Sequence, residues 1–176
     1  LPLENNLQQH VAQFNGQSSY MQIQNTPALS TNSFTWSLWI YPKSWTANNA
    51  GVFGQTNGGT GYPYMIQQGS PSSPILQFSN NGGGSSSAYT PITVGTWQNV
   101  VGTYNYTSGT ISIYLNGRLV QSATSTPIAR ASSTIYVGYF PPSTTPYFNG
   151  QIANIQIYNA SLSASEIQAL YQEGIG

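Results

Sequence analysis

Cysteine and aspartate are both missing from this chain of 176 residues, and charge of either sign is scarce. Without cysteine there is no disulfide scaffold and no thiolate metal site. Only Glu4, Lys43, Arg118, Arg130, Glu166 and Glu173 carry formal charge, where a typical soluble domain is about a quarter charged. Three cations cannot neutralise the run of phosphates that binds DNA or RNA, so no nucleic-acid partner is expected. No apolar run approaches the ~18 residues that span a bilayer, and no membrane insertion is expected. The N-terminus, Leu1-Pro2-Leu3, has neither an initiator Met nor a signal-peptide pattern. The chain is read as a single domain, 1–176, released or excised from a longer exported protein.

The same absences narrow the chemistry. A Ser-His-Asp triad cannot be built without aspartate, and the lone His10 has only Glu4 near it in sequence. Glycoside hydrolysis needs two carboxylates ~5–9 Å apart. Glu166 and Glu173 would stand about two turns apart on one helix face, but Glu166 is better read as a capping residue. Gly58-Gly59-Thr60-Gly61 lacks the lysine and following helix of a phosphate loop. No catalytic residues are assigned, and the chain is not expected to be an enzyme.

What fills the chain instead is neutral polarity. Ser, Thr, Asn and Gln supply 72 of the residues, hydrophobics 39% and aromatics 13%, with thirteen tyrosines. The apolar residues alternate regularly, so the chain is read as folded and not as a disordered polar tract. A neutral, tyrosine-rich surface suits an exported, surface-displayed protein. Few carboxylates also means that little is lost on acidification, so tolerance of low pH is expected.

Alternation of period two dominates. Phe34, Trp36, Leu38 and Ile40 fall on one face of a strand that ends at Pro42, and Thr35, Ser37, Trp39 and Tyr41 on the other. Residues 111–115 alternate as cleanly and run into Asn116-Gly117, the strongest short hairpin signal, with 118–122 returning. Further strands are expected at 11–15, 20–24, 51–55, 64–68, 75–79, 97–104, 134–140 and 151–158. Segments 57–61, 69–74, 80–87 and 141–146 read as Gly-, Ser-, Asn- and Pro-rich loops. One helix closes the chain: Ser163-Ala164-Ser165-Glu166 is a capping box, Ile167, Leu170 and Tyr171 share a face, and Gly174 is placed to end it. The fold class that follows is all-β, an antiparallel sandwich with one short C-terminal helix.

Four motifs in order sharpen this. Phe34-Thr35-Trp36-Ser37-Leu38-Trp39-Ile40-Tyr41-Pro42 resembles the "F-T-x-S-x-W-V-x-P" strand of laminin G-like domains, which belong to the concanavalin A-like lectin and glucanase superfamily. Trp97-Gln98-Asn99-Val100-Val101-Gly102-Thr103-Tyr104-Asn105 is similar to the family's "W-x-H-V-A-x-T-Y-D". Ile113-Tyr114-Leu115-Asn116-Gly117 is similar to "L-Y-V-N-G". Residues 149–163, continuing into Glu166-Ile167, resemble the ending "G-x-I-D-E-V-R-I-Y-N-x-A-L-S-x-x-E-I". The resemblance implies a jelly-roll β-sandwich of two curved antiparallel sheets.

It departs where the family carries acids. Asn105, Ala153 and Asn154 stand at acid-bearing positions, Asn99 stands at a usual His, and the glucanase acid motif is absent. Many relatives hold a bracing calcium ion with such an acid. Calcium favours charged oxygen ligands, so only a weak site through Asn15, Asn105, Asn154 and carbonyls is conceivable here; no metal ligands or cofactor are assigned.

The expected activity is recognition. Sugars present apolar C–H faces and hydroxyls, which suit aromatic rings ringed by amides and hydroxyls. The candidate ligand-binding residues are Trp45, Tyr62, Tyr64, Tyr89, Tyr139, Phe140 and Tyr147, with Trp45 the best exposed tryptophan and Trp36, Trp39 and Trp97 assigned to packing. Tyr106 and Phe148 add to the loop aromatics. A glycan or another surface protein is the expected partner, in an extracellular or cell-surface setting. The alternative is a structural module of an envelope, filament or virion with no soluble ligand. Asn105-Tyr106-Thr107 and Asn159-Ala160-Ser161 are glycosylation sequons.

Overall fold

The computed structural model describes residues 11–55, 61–80 and 87–175. Glu4, His10 and most of the 57–61 and 80–87 segments lie outside them. Twelve strands form two six-stranded antiparallel sheets. The first runs in the order β1 (Val11–Asn15), β12 (Asn149–Tyr158), β3 (Phe34–Pro42), β8 (Gln98–Asn105), β9 (Thr110–Leu115), β10 (Arg118–Thr124). The second runs β2 (Met21–Ile23), β11 (Ile135–Val137), β4 (Gly51–Gln55), β5 (Tyr64–Ser70), β6 (Ser73–Ser79), β7 (Ser87–Pro91). This is the jelly-roll sandwich that the strand pattern and the resemblance implied.

The core lies between the sheets and is built by alternation. Phe34, Trp36, Leu38 and Ile40 on β3 are fully buried and meet Phe53, Met65, Leu76 and Phe78 from the second sheet. Trp36 makes an edge-on contact with Phe53 at 4.8 Å, and Phe34 one with Phe78 at 6.1 Å. The opposite face of β3 is buried as well, because helix α1 (Ala164–Ile175) covers the outside of the first sheet. Trp39 stacks on Tyr171 at 5.8 Å, and Val101 and Tyr114 pack against Ile167.

The capping box forms as read: Ser163 N–H donates to Glu166 Oε2 at 2.7 Å, and Glu166 N–H to Ser163 Oγ at 3.3 Å. Gly174 has a different role from the one its position suggested. The helix runs through it to Ile175, and a Cβ there would lie 2.6 Å from Trp39 Cζ2. It is glycine because the helix lies directly on a tryptophan.

Asn116 and Gly117 have φ of 49° and 78°, the two left-handed residues that a tight hairpin demands. Segment 69–74 is shorter as a loop than its Pro, Ser and Gly content suggested. β5 and β6 pair out to Ser70 and Ser73, leaving only Pro71 and Ser72 in the turn. β7 was not read from the sequence. Its apolar content is slight, and it is held by pairing to β6 and by Tyr89 N–H donating to Gln121 Oε1 at 2.6 Å.

Candidate functional site

On β5, Met65 and Gln67 point into the sandwich, while Tyr64, Ile66 and Gln68 point outward. Registered beside these on β6 and β7 are Ser79 and Ser87 next to Tyr64, and Gln77 and Tyr89 next to Ile66. The outer face of the second sheet therefore carries amides, hydroxyls and rings, of which Gln68 and Tyr89 reach solvent while Tyr64, Gln77, Ser79 and Ser87 are buried. Gln68 Nε2 donates to Asn49 Oδ1 at 2.8 Å and to Gln77 Oε1 at 3.2 Å. Gln77 Nε2 donates on to Ser87 Oγ at 2.9 Å. This ladder of neutral side chains crosses three strands, each group orienting the next.

Rings flank the ladder. Trp45 Nε1 donates to the Gln68 carbonyl at 3.2 Å. Trp45, the best candidate for an exposed tryptophan, is thus half-buried and anchored to the face. Phe140 packs on Tyr64 at 4.8 Å, and Tyr89 remains 37% exposed. At the β2 side, Tyr139 stacks on Tyr20 at 4.8 Å and lies 5.1 Å from Tyr147 and 5.4 Å from Tyr136. Tyr20 is 44% exposed, so one ring of this cluster is offered to solvent over three others.

Backbone geometry brings the cluster together. After β11 the chain turns back on itself, with Phe140 N–H on Pro146 O at 3.1 Å and Phe148 N–H on Gly138 O at 3.1 Å. The resulting loop lies against Gly51, where a Cβ would sit 2.2 Å from the Tyr139 carbonyl carbon. Gly51 is what lets Tyr139, Phe140 and Tyr147 approach the sheet.

Burial pushes the Tyr139 hydroxyl up from its ordinary pKa, with Tyr147, Tyr20 and Tyr136 adding to the effect. Burial also raises that of Tyr64, against a hydrogen bond from Ser79 that lowers it and with Tyr89 adding to the rise. Both rings stay neutral donors well past neutral pH. A groove of about 410 Å³, lined in part by Gln17, Thr46, Thr145 and Tyr147, opens beside the cluster. A larger groove of about 640 Å³ lies at the end of the first sheet, among Gln13, Asn15, Tyr41, Lys43, Asn149 and Gln151. It offers only one ring at its wall besides the buried Phe14.

Of the sequence candidates, Trp45, Tyr64, Tyr89, Tyr139, Phe140 and Tyr147 fall on or beside this face. Tyr62, in the turn before β5, is half-buried and joins none of these ring contacts. Tyr20, Tyr136, Gln68 and Gln77 were missed as site residues. For Tyr136 the signal was present: with Ile135 and Val137 inward, period two turns it outward.

Asn15, Asn105 and Asn154, the amides through which a weak calcium site was conceivable, do other work. Asn15 Oδ1 accepts the backbone N–H groups of Gln17, Ser18 and Ser19 at 2.9, 2.9 and 3.0 Å. Asn105 Oδ1 accepts Ser108 N–H at 3.2 Å. Asn154 has φ 56° in the bulge where β12 shifts register against β3. With no carboxylate at any of them, these residues do not fit a tightly held calcium ion. Among the described residues no group of three or more His, Cys, Asp or Glu is gathered.

A laminin G-type family model, described as the concanavalin A-like lectin/glucanases superfamily, matches residues 15–168. The native heptameric SAP-like pentraxin of Limulus polyphemus superposes with a TM-score of 0.70 at 17% identity, over 92% of this chain and 82% of the pentraxin. Domain 4 of AbnA, an extracellular GH43 arabinanase of Geobacillus stearothermophilus solved with arabinotriose, gives 0.69 at 22% identity, over 92% and 76%. The binding domain of botulinum neurotoxin serotype G gives 0.67 at 14% identity; 92% of this chain spans 42% of that one. At these identities the likeness is one of fold. No curated protein matches the sequence.

Proposed function

The chain belongs to the concanavalin A-like lectin/glucanase superfamily, and on that premise we propose that it is a non-catalytic, extracellular recognition module that binds neutral carbohydrate. The observation that carries this reading is the amide ladder Asn49–Gln68–Gln77–Ser87 on one sheet face, flanked by Trp45, Tyr64 and Tyr89 and continuing to the tyrosine cluster. The buried Gln77 and Ser87 hold Gln68, and through it the exposed Asn49, in fixed directions, so little entropy is lost when a sugar hydroxyl joins those two amides. The rings supply flat apolar area for C–H faces. No helix among the described residues is long and apolar enough to cross a membrane.

A glycan array with the wild-type chain tests the reading directly. Binding to a defined set of neutral glycans is expected, and Tyr20→Ala or Trp45→Ala should weaken it about tenfold or more, as for a central aromatic contact. Gln68→Ala should weaken binding while leaving the fold intact.

One observation favours a structural role in a larger assembly. The edge strands β2 and β10 expose Met21 (48%), Leu119 (53%) and Val120 (44%). In that case the array stays silent while sedimentation shows self-association. An enzymatic role would need polysaccharide turnover that depends on Glu166 or Glu173, which is not expected.

A further inference from the structure

We propose that the groove at the end of the first sheet is a second binding site, for an acidic sugar with one negative charge, and that Lys43 is its anion partner. The groove holds about 640 Å³, room for roughly one or two sugar rings. Its floor follows from period two. Val11, Trp39 and Ala153 face outward and pack with Tyr171 and Ile175 of α1. Two residues further along each strand, Gln13, Tyr41 and Gln151 face the same way. The pairing sets these three side by side, with Gln13 opposite Gln151 and Gln151 opposite Tyr41. Beyond them Asn15 stands opposite Asn149, whose carbonyl accepts the Lys43 N–H at 3.0 Å. The helix ends at the Trp39 row, which leaves the two rows beyond it as an open shelf.

Three kinds of group converge on this shelf. Tyr41 presents a half-buried ring backed by Trp97 at 5.7 Å, so its plane is held before a ligand arrives. The side-chain amides of Gln13 and Gln151 have no hydrogen-bond partner among the described residues and can meet hydroxyls. The next amides are already engaged: Asn149 Nδ2 donates to Ser44 Oγ at 2.8 Å, and Asn15 Oδ1 accepts backbone N–H groups. Lys43 supplies the charge. It is the only lysine of the chain, it is exposed, and its ammonium meets no carboxylate among the described residues. Glu166 is turned to Ser163 at the start of α1, and Glu173 acts on Tyr158 at the opposite end of β12. A neutral sugar would be served by one more amide at this wall. An unpaired cation among amides and a ring fits a sugar with a carboxylate or a sulfate ester.

The test is a titration followed by amide NMR, with galacturonate, its uncharged methyl ester and a galactose sulfate as probes. Saturable shifts of the Gln13 and Gln151 side-chain signals are expected with an acidic probe, and whichever of the two binds tighter identifies the acid. The methyl ester should bind about fivefold more weakly than galacturonate, the reach of one exposed ion pair, and the gap should close as salt rises. Lys43→Gln should bring the acidic probes down to the level of the ester, whereas Lys43→Arg should keep the difference. Lys43 is exposed, so both variants keep the fold. Equal affinity for acidic and uncharged probes, no effect of Lys43→Gln, or no saturable shift would each overturn the proposal. The amide ladder lies on the other sheet, so Lys43→Gln should leave neutral-glycan binding unchanged, and a silent array of neutral glycans would leave this site standing.

Discussion

Thr35 shows how a neutral side chain does here what an ion pair does elsewhere. Fully buried on β3, its hydroxyl donates to the Ala160 carbonyl at 2.7 Å and accepts Leu162 N–H at 2.9 Å. One hydroxyl thereby fixes the chain leaving β12 and sets the entry to α1. Thr35→Val keeps the shape and removes both bonds, stranding two backbone groups. A loss of about 2 kcal/mol is expected in urea unfolding. Asn99 acts in the same way. Its Nδ2 donates to Ser37 Oγ at 3.3 Å and to Leu38 O at 3.2 Å, tying β8 to β3 in the interior of the sheet. Neither role could be read from residue type alone, since a buried threonine and a surface one look identical in sequence.

Elements were legible wherever packing alternated sharply. β3 and the β9–β10 hairpin are visible because one face is wholly apolar and because Asn116-Gly117 permits only one kind of turn. β7 is invisible because Ala88 is the only core residue it contributes, and its hold comes from a ladder that leaves no apolar trace. The helix is legible in its cap and misread at its end, because glycine is used both to stop helices and to let them touch. Gly174→Ala separates the two roles. A terminator would hardly notice the methyl, whereas a contact glycine should lose about 1–3 kcal/mol as the helix lifts from Trp39. Tryptophan fluorescence should shift with it. The candidate face divides along the same line. Tyr139, Phe140 and Tyr147 could be picked out as loop aromatics, but the convergence of Tyr139 and Tyr147 on Tyr20, and of Phe140 on Tyr64, depends on the fold-back at Gly51, a long-range contact with no local signature.

For the whole molecule, the shortage of carboxylates sets the pH window. The backbone N–H and hydroxyl of Ser163 hold the Glu166 carboxyl below its ordinary range. Its contribution is present above the unfolded carboxylate pKa and is lost only as pH falls through the lowered one. With Glu173 the only other described acid, the urea midpoint should change little between neutral pH and about pH 4. The alkaline side carries two opposing contributions, since burial holds the Arg130 guanidinium down to about 9 and its loss of charge above that pH favours the folded chain. The raised hydroxyl pKa values of Tyr64, Tyr114 and Tyr139, each led by burial, give stability that is complete below about pH 10 and fades as pH climbs through the folded values. Phenolate absorbance should show these tyrosines ionising late and together with unfolding. A profile flat in acid is the expected measurement, with Arg130→Met exposing the tyrosines' falling limb in base.

Trp39 and Ala153 gather Val11, Trp97, Tyr171 and Ile175 into one small cluster on the outside of the first sheet. The first and last described residues of the chain thus share a single patch, beneath which β1 and β12 are hydrogen-bonded neighbours. Topologically the domain is close to a ring cut at one place. Tension applied between Val11 and Ile175 acts on that one patch, which joins β1 and the helix to the first sheet. Such a pull is expected to detach β1 and the helix from the first sheet first, while the tyrosine face on the opposite sheet stays intact.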